Sequence, residues 1–214
     1  MYKRQGNDSG ISSDTQLNVS DGGSIGFRFD AGAENVPNTN IEVNISGGEV
    51  GAGFNANSGS TVNISGGVFG INSSFRSGST VNLSGGSIGV FNFAGDGSTV
   101  NISGGTLGAA FRASSGSTVN ISGGIIEDRF RAANGSTVNI SGGSFGYEFD
   151  ASNGSTVTIS GGEFLLNGSA INDLSSPFTL SFGDYFTGTL EDGSSFVFSN
   201  FNSCLLYTSP SPRD

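Results

Sequence analysis

Gly59-Ser60-Thr61-Val62-Asn63-Ile64-Ser65-Gly66-Gly67 is the stretch that decides the fold, because it recurs almost unchanged through the middle of the chain. A fixed period of this length is typical of a solenoid, in which each repeat is one coil that can bury its apolar side only against the next coil. The copies are nineteen residues apart, as their threonines show: Thr61, Thr80, Thr99, Thr118, Thr137 and Thr156.

Inside this phrase, apolar and polar residues alternate. A β-strand therefore places Val62 and Ile64 on one face and Thr61, Asn63 and Ser65 on the other. The Gly-Gly pair that follows is a turn signal, because glycine adopts positive φ at low cost. We expect the Val and Ile side chains in the core and the polar triplet on the surface.

Two shorter segments complete each coil. The first carries one large apolar residue, and the second carries Phe-x-Ala, as in Phe111 and Ala113, with the Phe displaced in two coils to Phe75 and to Phe91/Phe93. Three strands and three turns in nineteen residues make a coil, and coils stack about 4.8 Å apart. We predict an all-β fold, a three-sided parallel β-helix (β-solenoid) of seven or eight coils with a C-terminal β cap.

The ends of the chain differ from the repeat. Met1–Gln5 and Cys204–Asp214 resemble in-frame translations of sequencing-adapter DNA, so we expect them to lie outside the fold and the chain to be a fragment of a longer protein. Alternating segments around the turn at Glu191–Ser194 predict a hairpin that covers the last coil. We divide the chain into adapter-like 1–5, a leading segment 6–16, solenoid repeats 17–172, a terminal coil and hairpin cap 173–203, and adapter-like 204–214.

Over residues 17–172 the pattern resembles the nineteen-residue, three-strand repeats of haemagglutinin-type and autotransporter-passenger β-helices. It resembles more closely the bacterial surface proteins with runs of G-S-T-V-N-I-S-G-G-x-[FIL]-G-x-x-F-x-A, whose full-length forms often end in a PEP-CTERM sorting segment. The resemblance implies a secreted or cell-surface location, a structural or adhesin-like role, and another cell-surface protein or a glycan as partner. Because the architecture hosts lyases, adhesins and passive stalks alike, it does not select an activity.

Composition excludes several classes of function. The chain carries a formal net charge of −10 and three of its eight basic residues lie in the adapter-like ends, which argues against nucleic acid as a partner. It has no His, and its one Cys is Cys204, so a zinc or redox role lacks ligands. The Gly-Gly-x-Gly-x-Asp motif of calcium-binding β-rolls is absent. We expect no cofactor, no metal and no membrane span within this sequence.

The regular polar face is the first candidate for a ligand site. A grid of hydroxyls and amides could bind ice or polysaccharide, whereas stacked copies that hydrogen-bond to each other would be purely structural, and we favour the structural interpretation. The same phrase forms N-glycosylation sequons, but sugars about 4.8 Å apart would not all fit, which favours a bacterial source. The candidate residues are Thr61, Asn63, Thr80, Asn82, Thr99, Asn101, Thr118, Asn120, Thr137 and Asn139.

A charged patch on the variable side is the second candidate. The nineteen-residue register predicts Arg129 beside Glu148, Arg131 beside Asp150, and Arg112 stacked next to Arg131. As an acid/base cluster these residues would resemble the sites of β-helical polysaccharide lyases and hydrolases. Those enzymes build clefts from long loops between coils, and the coils here stay at nineteen residues. We therefore expect exposed ion pairs and no catalysis.

Overall fold

The computed structural model describes residues 10–34, 38–171, 178–181, 183–199 and 204–210. It is an all-β solenoid of about 8 turns with ~19 residues per turn, which confirms the predicted fold class. Strands of successive coils are parallel and in register, so that Val81, Val100 and Val119 lie directly above one another. The repeat in the sequence is therefore also the repeat in space.

The strands of the described residues are, in chain order, β1 (Gly10–Ile11), β2 (Gln16–Val19), β3 (Ser24–Ile25), β4 (Asp30–Ala31), β5 (Ile41–Val50), β6 (Asn55–Ala56), β7 (Ser60–Phe69), β8 (Ser74–Phe75), β9 (Thr80–Ile88), β10 (Phe93–Ala94), β11 (Thr99–Ile102), β12 (Thr106–Leu107), β13 (Arg112–Ala113), β14 (Thr118–Ile126), β15 (Arg131–Ala132), β16 (Thr137–Phe145), β17 (Asp150–Ala151), β18 (Thr156–Leu166), β19 (Ser169–Ala170), β20 (Phe178–Leu180), β21 (Tyr185–Leu190), β22 (Ser195–Ser199) and β23 (Cys204–Pro210).

These strands form two sheets that run the length of the solenoid. Eight of the two-residue strands form one sheet, in the order β1-β4-β6-β8-β10-β13-β15-β17. The long strands form the other sheet together with the short strands β3, β12, β19 and β20. In most coils a long strand joins the first two predicted segments, with a register shift at Ser-Gly-Gly. The two segments are separate in the coils of β2/β3 and β11/β12. Two of the three expected strands thus merge, because pairing with the neighbouring coil resumes directly after the bend.

Each regular coil turns at three residues with left-handed backbone, as at Gly59 (φ 75°), Gly67 (φ 79°) and Asn72 (φ 56°). The first glycine of the pair is needed for a different reason, since a Cβ on Gly66 would clash with the carbonyl oxygen of Ser46 in the preceding coil. The third turn, which we call the variable corner, directly precedes the Phe of Phe-x-Ala in the regular coils. Its residues are Arg28, Gly53, Asn72, Phe91, Ala110, Arg129 and Glu148.

The core is a set of parallel files of apolar side chains. The Val and Ile of every phrase are buried, as predicted, and the Phe rings stack from coil to coil, with centroids 5.7 Å apart for Phe111–Phe130 and 5.3 Å for Phe130–Phe149. Where the Phe is displaced, Phe75 points inward at the position that alanine holds in neighbouring coils. Phe91 and Phe93 lie outside. One displaced Phe therefore still fills the core, and the other two contribute to the surface.

The C-terminal cap is the predicted hairpin of β21 and β22, which pair antiparallel. It packs on the coil of β16, where Phe198 stacks on Phe149 at 4.4 Å and the backbone N–H of Gly143 donates to Asp192. β21 also pairs with the second half of β18. The hairpin therefore closes the end of the core rather than lying beside it.

The tail differs from its prediction. We expected Cys204–Asp214 outside the fold, but β23 pairs in parallel with β18, from Thr156 opposite Leu205 to Gly161 opposite Pro210. The physical reason is that the last coil presents an unpaired strand edge, which accepts an extended segment. Of the other predicted segments, Met1–Gln5, residues 6–9 of the leading segment, residues 35–37 and 172 of the repeats, residues 173–177, 182 and 200–203 of the terminal coil and cap, and residues 211–214 lie outside the described residues.

Candidate functional site

The asparagines of the polar face form a continuous amide ladder. Each Nδ2 donates to the Oδ1 of the asparagine one coil earlier, from Asn139 down to Asn18. The distance is 2.8 Å in five links and 3.0 Å between Asn44 and Asn18. The side chains of Asn44 to Asn139 are half-buried in this stack. Asn63, Asn82, Asn101, Asn120 and Asn139 therefore spend much of their hydrogen-bonding capacity on each other, which favours the structural interpretation of these residues.

The serines of the phrase are also occupied. Ser98 and Ser117, like their equivalents, are buried and donate to the carbonyl oxygen three residues earlier, at 2.6 and 2.7 Å. The serine after Ile bonds to the preceding coil more weakly, as Ser65 Oγ does to Ile45 O at 3.4 Å. The serine before Thr therefore bonds within its own coil, and the serine after Ile bonds to the preceding coil.

The threonines are the part of the polar face with hydrogen-bonding capacity left over. They are half-exposed, and within the described residues their hydroxyls have no hydrogen-bond partner. In-register stacking spaces them about 4.8 Å apart along the axis. If this face binds a ligand, the threonine file is where direct contacts are available: Thr61, Thr80, Thr99, Thr118 and Thr137.

The charged patch forms the cross-coil pairs that the register predicts. Arg129 Nε lies 3.1 Å from Glu148 Oε2, and Arg131 Nε lies 3.4 Å from Asp150 Oδ2. Arg112 pairs in register with Arg131 in the short-strand sheet. The side chains of the Arg129–Glu148 pair are 71% and 53% exposed, so each pair is worth at most about 1 kcal/mol. These are solvated ion pairs on the surface of the solenoid.

No cavity that we describe adjoins this patch. Among the described residues, one of about 290 Å³ lies at the variable corner, where glycine at position 53 leaves a notch beside Phe27 and Asn72. Arg76, which lines the same notch, bonds to Glu34. A second, of about 360 Å³, lies at the N-terminal end of the solenoid between Leu17 and Ile25. None of these cavities gives the patch walls that would hold a substrate and exclude water.

Sequence reasoning missed the exposed apolar side chains at and beside the variable corner. Phe27, Ile71, Phe91 and Phe93 are 49%, 43%, 59% and 39% exposed, and Tyr147, next to Glu148, is 83% exposed. The available signal was the residue directly before each Phe of Phe-x-Ala, which varies from coil to coil. Its outward direction was not predicted, because non-glycine residues rarely adopt positive φ.

Two further properties bear on the site. Within the described ranges, no group of three or more His, Cys, Asp or Glu side chains could hold a metal ion. In the same residues, no helix is long and apolar enough to cross a membrane.

Comparison with known proteins gives no assignment. No protein family, curated protein or solved structure matches the chain. The functional argument therefore rests on the geometry of the solenoid and on the resemblance of its repeat.

Proposed function

We propose that the chain is a structural segment of a secreted or cell-surface bacterial protein, a rigid scaffold or spacer without catalytic activity. One observation carries the proposal: most repeated positions serve the core, the amide ladder or a turn, whereas the outward positions of the variable corner differ from coil to coil. This separation of repeated structural positions from variable outward positions suits a protein that keeps its length and shape while its surface residues vary. The adhesin-like role and the surface location rest on the resemblance of the repeat.

An exchange of outward residues tests the scaffold. Replacing Arg112, Arg129, Arg131, Glu148 and Asp150 together by Ser should leave the far-UV circular dichroism unchanged and should lower the free energy of unfolding by no more than about 2 kcal/mol, because the two exposed ion pairs contribute at most about 1 kcal/mol each. A matched control is Val100→Ser in the core, which should destabilise much more. A loss of folding in the surface variant would count against the scaffold.

Catalysis is tested directly on a panel of acidic and neutral polysaccharides. We expect no new reducing ends and no unsaturated products, since no cavity that we describe adjoins Arg131 or Asp150. Turnover that disappears in Asp150→Asn but persists in Asp96→Asn, an exposed acidic residue elsewhere on the solenoid, would show an enzyme instead.

A second candidate function is ligand binding by the threonine file, favoured by its unpaired, evenly spaced hydroxyls. Ice or a polysaccharide chain would match a repeat along the axis. Thermal-hysteresis and glycan-array measurements distinguish these ligands from each other. Thr99→Val combined with Thr118→Val should abolish either activity while the amide ladder stays intact, and blank results in both assays would remove this candidate.

A further inference from the structure

Two exposed phenylalanines lie close together in the middle of the solenoid. Phe91 is at the variable corner with φ 59°, and Phe93 follows it in β10, with both side chains exposed. Among the described residues, neither ring packs against another aromatic ring. A left-handed backbone at Phe and an exposed ring are both unfavourable, and such costs are typical of sites where a contact offsets them. The two rings are therefore available to a partner molecule.

The next coil carries a small residue and a charged residue at the matching positions. Ala110 follows Phe91 in the file of the variable corner, and Arg112 pairs in register with Phe93. Arg112 is exposed, and its guanidinium has no ion pair within the described part of the chain. A ring packs closely over a methyl group, and a guanidinium is attracted to the face of a ring. The two coils therefore present the two halves of one contact.

We propose that a second copy of this chain binds to this side of the solenoid, with its axis antiparallel, about a two-fold axis that passes between the coils of Phe91 and Ala110. The two-fold axis runs along the strand direction, so each outward position faces the equivalent position of another coil. Phe91 then faces Ala110 of the other copy, and Phe93 faces Arg112. Each contact occurs twice, because the interface is isologous.

The same symmetry brings Tyr147 against the notch at the variable corner. Tyr147 is the most exposed large hydrophobic side chain among the described residues, and it lies two coils beyond Ala110. The residue that faces it is Ala52, two coils before Phe91. Ala52 and Phe27 both line the notch of about 290 Å³. A projecting ring thus meets a hollow of the other copy, which supports the choice of a second copy as the partner.

The charges are compatible with this pairing. Glu148 faces Gly53, where a Cβ would lie 3.3 Å from Cγ of Arg28, so that the carboxylate approaches an arginine of the other copy. In the coils from β6 to β17, no like charges face each other at the corner, at the position before it or at the outward position of the short strand. The other facing pairs that contain a charged residue are Arg129 with Asn72, Arg131 with Ser74, Asp150 with Asn55, and Asp128 with Ile71.

The two neighbouring registers are less favourable. A two-fold axis through the coil of Phe91 places Asp30 opposite Asp150 of the other copy. An axis through the coil of Ala110 places Arg112 opposite itself. Like charges that face each other across an interface oppose binding. Charge therefore selects the register in which Phe93 faces Arg112.

The interface is small, so the dimer should be weak. Six coils and a width of three residues give a strip of roughly 29 Å by 10 Å, well below the roughly 800 Å² per partner of a standard interface. We expect a dissociation constant of about 10 μM to 1 mM. With Cys204 replaced by Ser, sedimentation equilibrium over that range should show the average mass rising from one copy towards two. A mass that stays at one copy throughout overturns the proposal.

Cross-linking tests the register. Ile71 and Asp128 face each other in the proposed dimer, but they lie three coils, about 14 Å, apart on one chain. In the Cys204→Ser background, a mixture of Ile71→Cys and Asp128→Cys treated with a short bismaleimide should give dimers that contain one copy of each. Either variant alone should give few. Equal cross-linking of the single variants, or none in the mixture, overturns the pairing.

A charge at Phe93 tests the contact. Phe93→Arg places an arginine opposite Arg112 of the other copy, so this variant should stay at the mass of one copy over the whole range. The matched control is Ile125→Arg, which changes an exposed residue on the long-strand sheet and should leave dimerisation unaltered. Far-UV circular dichroism checks that both variants fold. Dimerisation of Phe93→Arg at the strength of the control overturns the proposed contact.

Discussion

At the scale of single residues, the amide ladder explains why asparagine recurs on an outward face. Asparagine is disfavoured in β-strands in general, but in a parallel in-register stack each amide finds an identical partner one coil away. Asn101 donates to Asn82 and accepts from Asn120, both at 2.8 Å. The ladder therefore accounts for the recurring asparagine without an external ligand.

Replacing one asparagine of the amide ladder tests how much the ladder contributes to stability. Asn101→Ala removes two hydrogen bonds and should lower the free energy of unfolding by about 1–2 kcal/mol, as measured by urea denaturation. The control is Thr99→Val, which keeps the β-branched shape and removes a hydroxyl without a partner in the described residues, so the change should stay within about 0.5 kcal/mol. Equal losses in both variants would mean that the amide ladder contributes little.

The variable corner carries backbone strain that a substitution can relieve. Phe91 has φ 59° and a side chain that is 59% exposed, whereas Asn72 holds the same position one coil earlier with φ 56°. Because asparagine tolerates left-handed backbone better than phenylalanine, Phe91→Asn should raise the stability by about 0.5–1 kcal/mol in thermal melts. The reciprocal Asn72→Phe should lower it. A loss of stability in Phe91→Asn, or a gain in Asn72→Phe, would refute the strain.

At the scale of elements, the cap depends on the tip of its hairpin. Partial burial raises the pKa of Asp192, but hydrogen bonds from the Ser194 hydroxyl and from the N–H groups of Ser194 and Gly143 outweigh burial, so the pKa lies below its usual value. A lowered folded-state pKa stabilises the protein above the unfolded-state value of about 3.9, and this contribution is lost as the pH falls through the folded-state pKa.

A pH series tests this contribution. Asp192→Asn should reduce the free energy of unfolding by up to about 1 kcal/mol at pH 7, and the difference should shrink towards zero below about pH 3. Denaturation curves at pH 7, 5 and 3 measure it. A difference that grows on acidification would have the wrong sign for a carboxylate stabilised in its charged form.

Sequence patterns predicted the features that depend on the residues of one repeat or on the nineteen-residue period. Alternation placed the Val and Ile files inside, the turn at 191–194 predicted the hairpin, and the period predicted the Arg129–Glu148 and Arg131–Asp150 pairs. Features that depend on a neighbouring coil were not predicted, such as the pairing of β23 with β18.

A residue of the core shows the same limit of prediction from sequence. Asn92 is buried at the position of the Phe, where it accepts from the Ser73 N–H and donates to Gly89 O. Polar asparagine is accommodated there because Phe75 of the preceding coil reaches across the core to Phe111, with ring centroids 6.4 Å apart. Neither residue alone carries this information, so the pattern of one coil could not reveal it.

At the scale of the whole molecule, the solenoid is a stack in which one coil equals nineteen residues and about 4.8 Å of length. Such a molecule should lose or gain whole coils without losing its register, because each coil contacts chiefly its two neighbours. A globular fold with one shared core would not tolerate the same deletion.

The distance between two spin labels measures this relation directly. With Cys204 replaced by Ser, labels at Thr61→Cys and Thr156→Cys lie five coils apart, at about 24 Å. Deletion of residues 99–117 should shorten that distance by about 4.8 Å and keep it narrowly distributed. Deletion of residues 99–107 alone should break the register and broaden the distribution. An unchanged or equally broad distance after removal of the full coil would show that the chain is not an in-register stack.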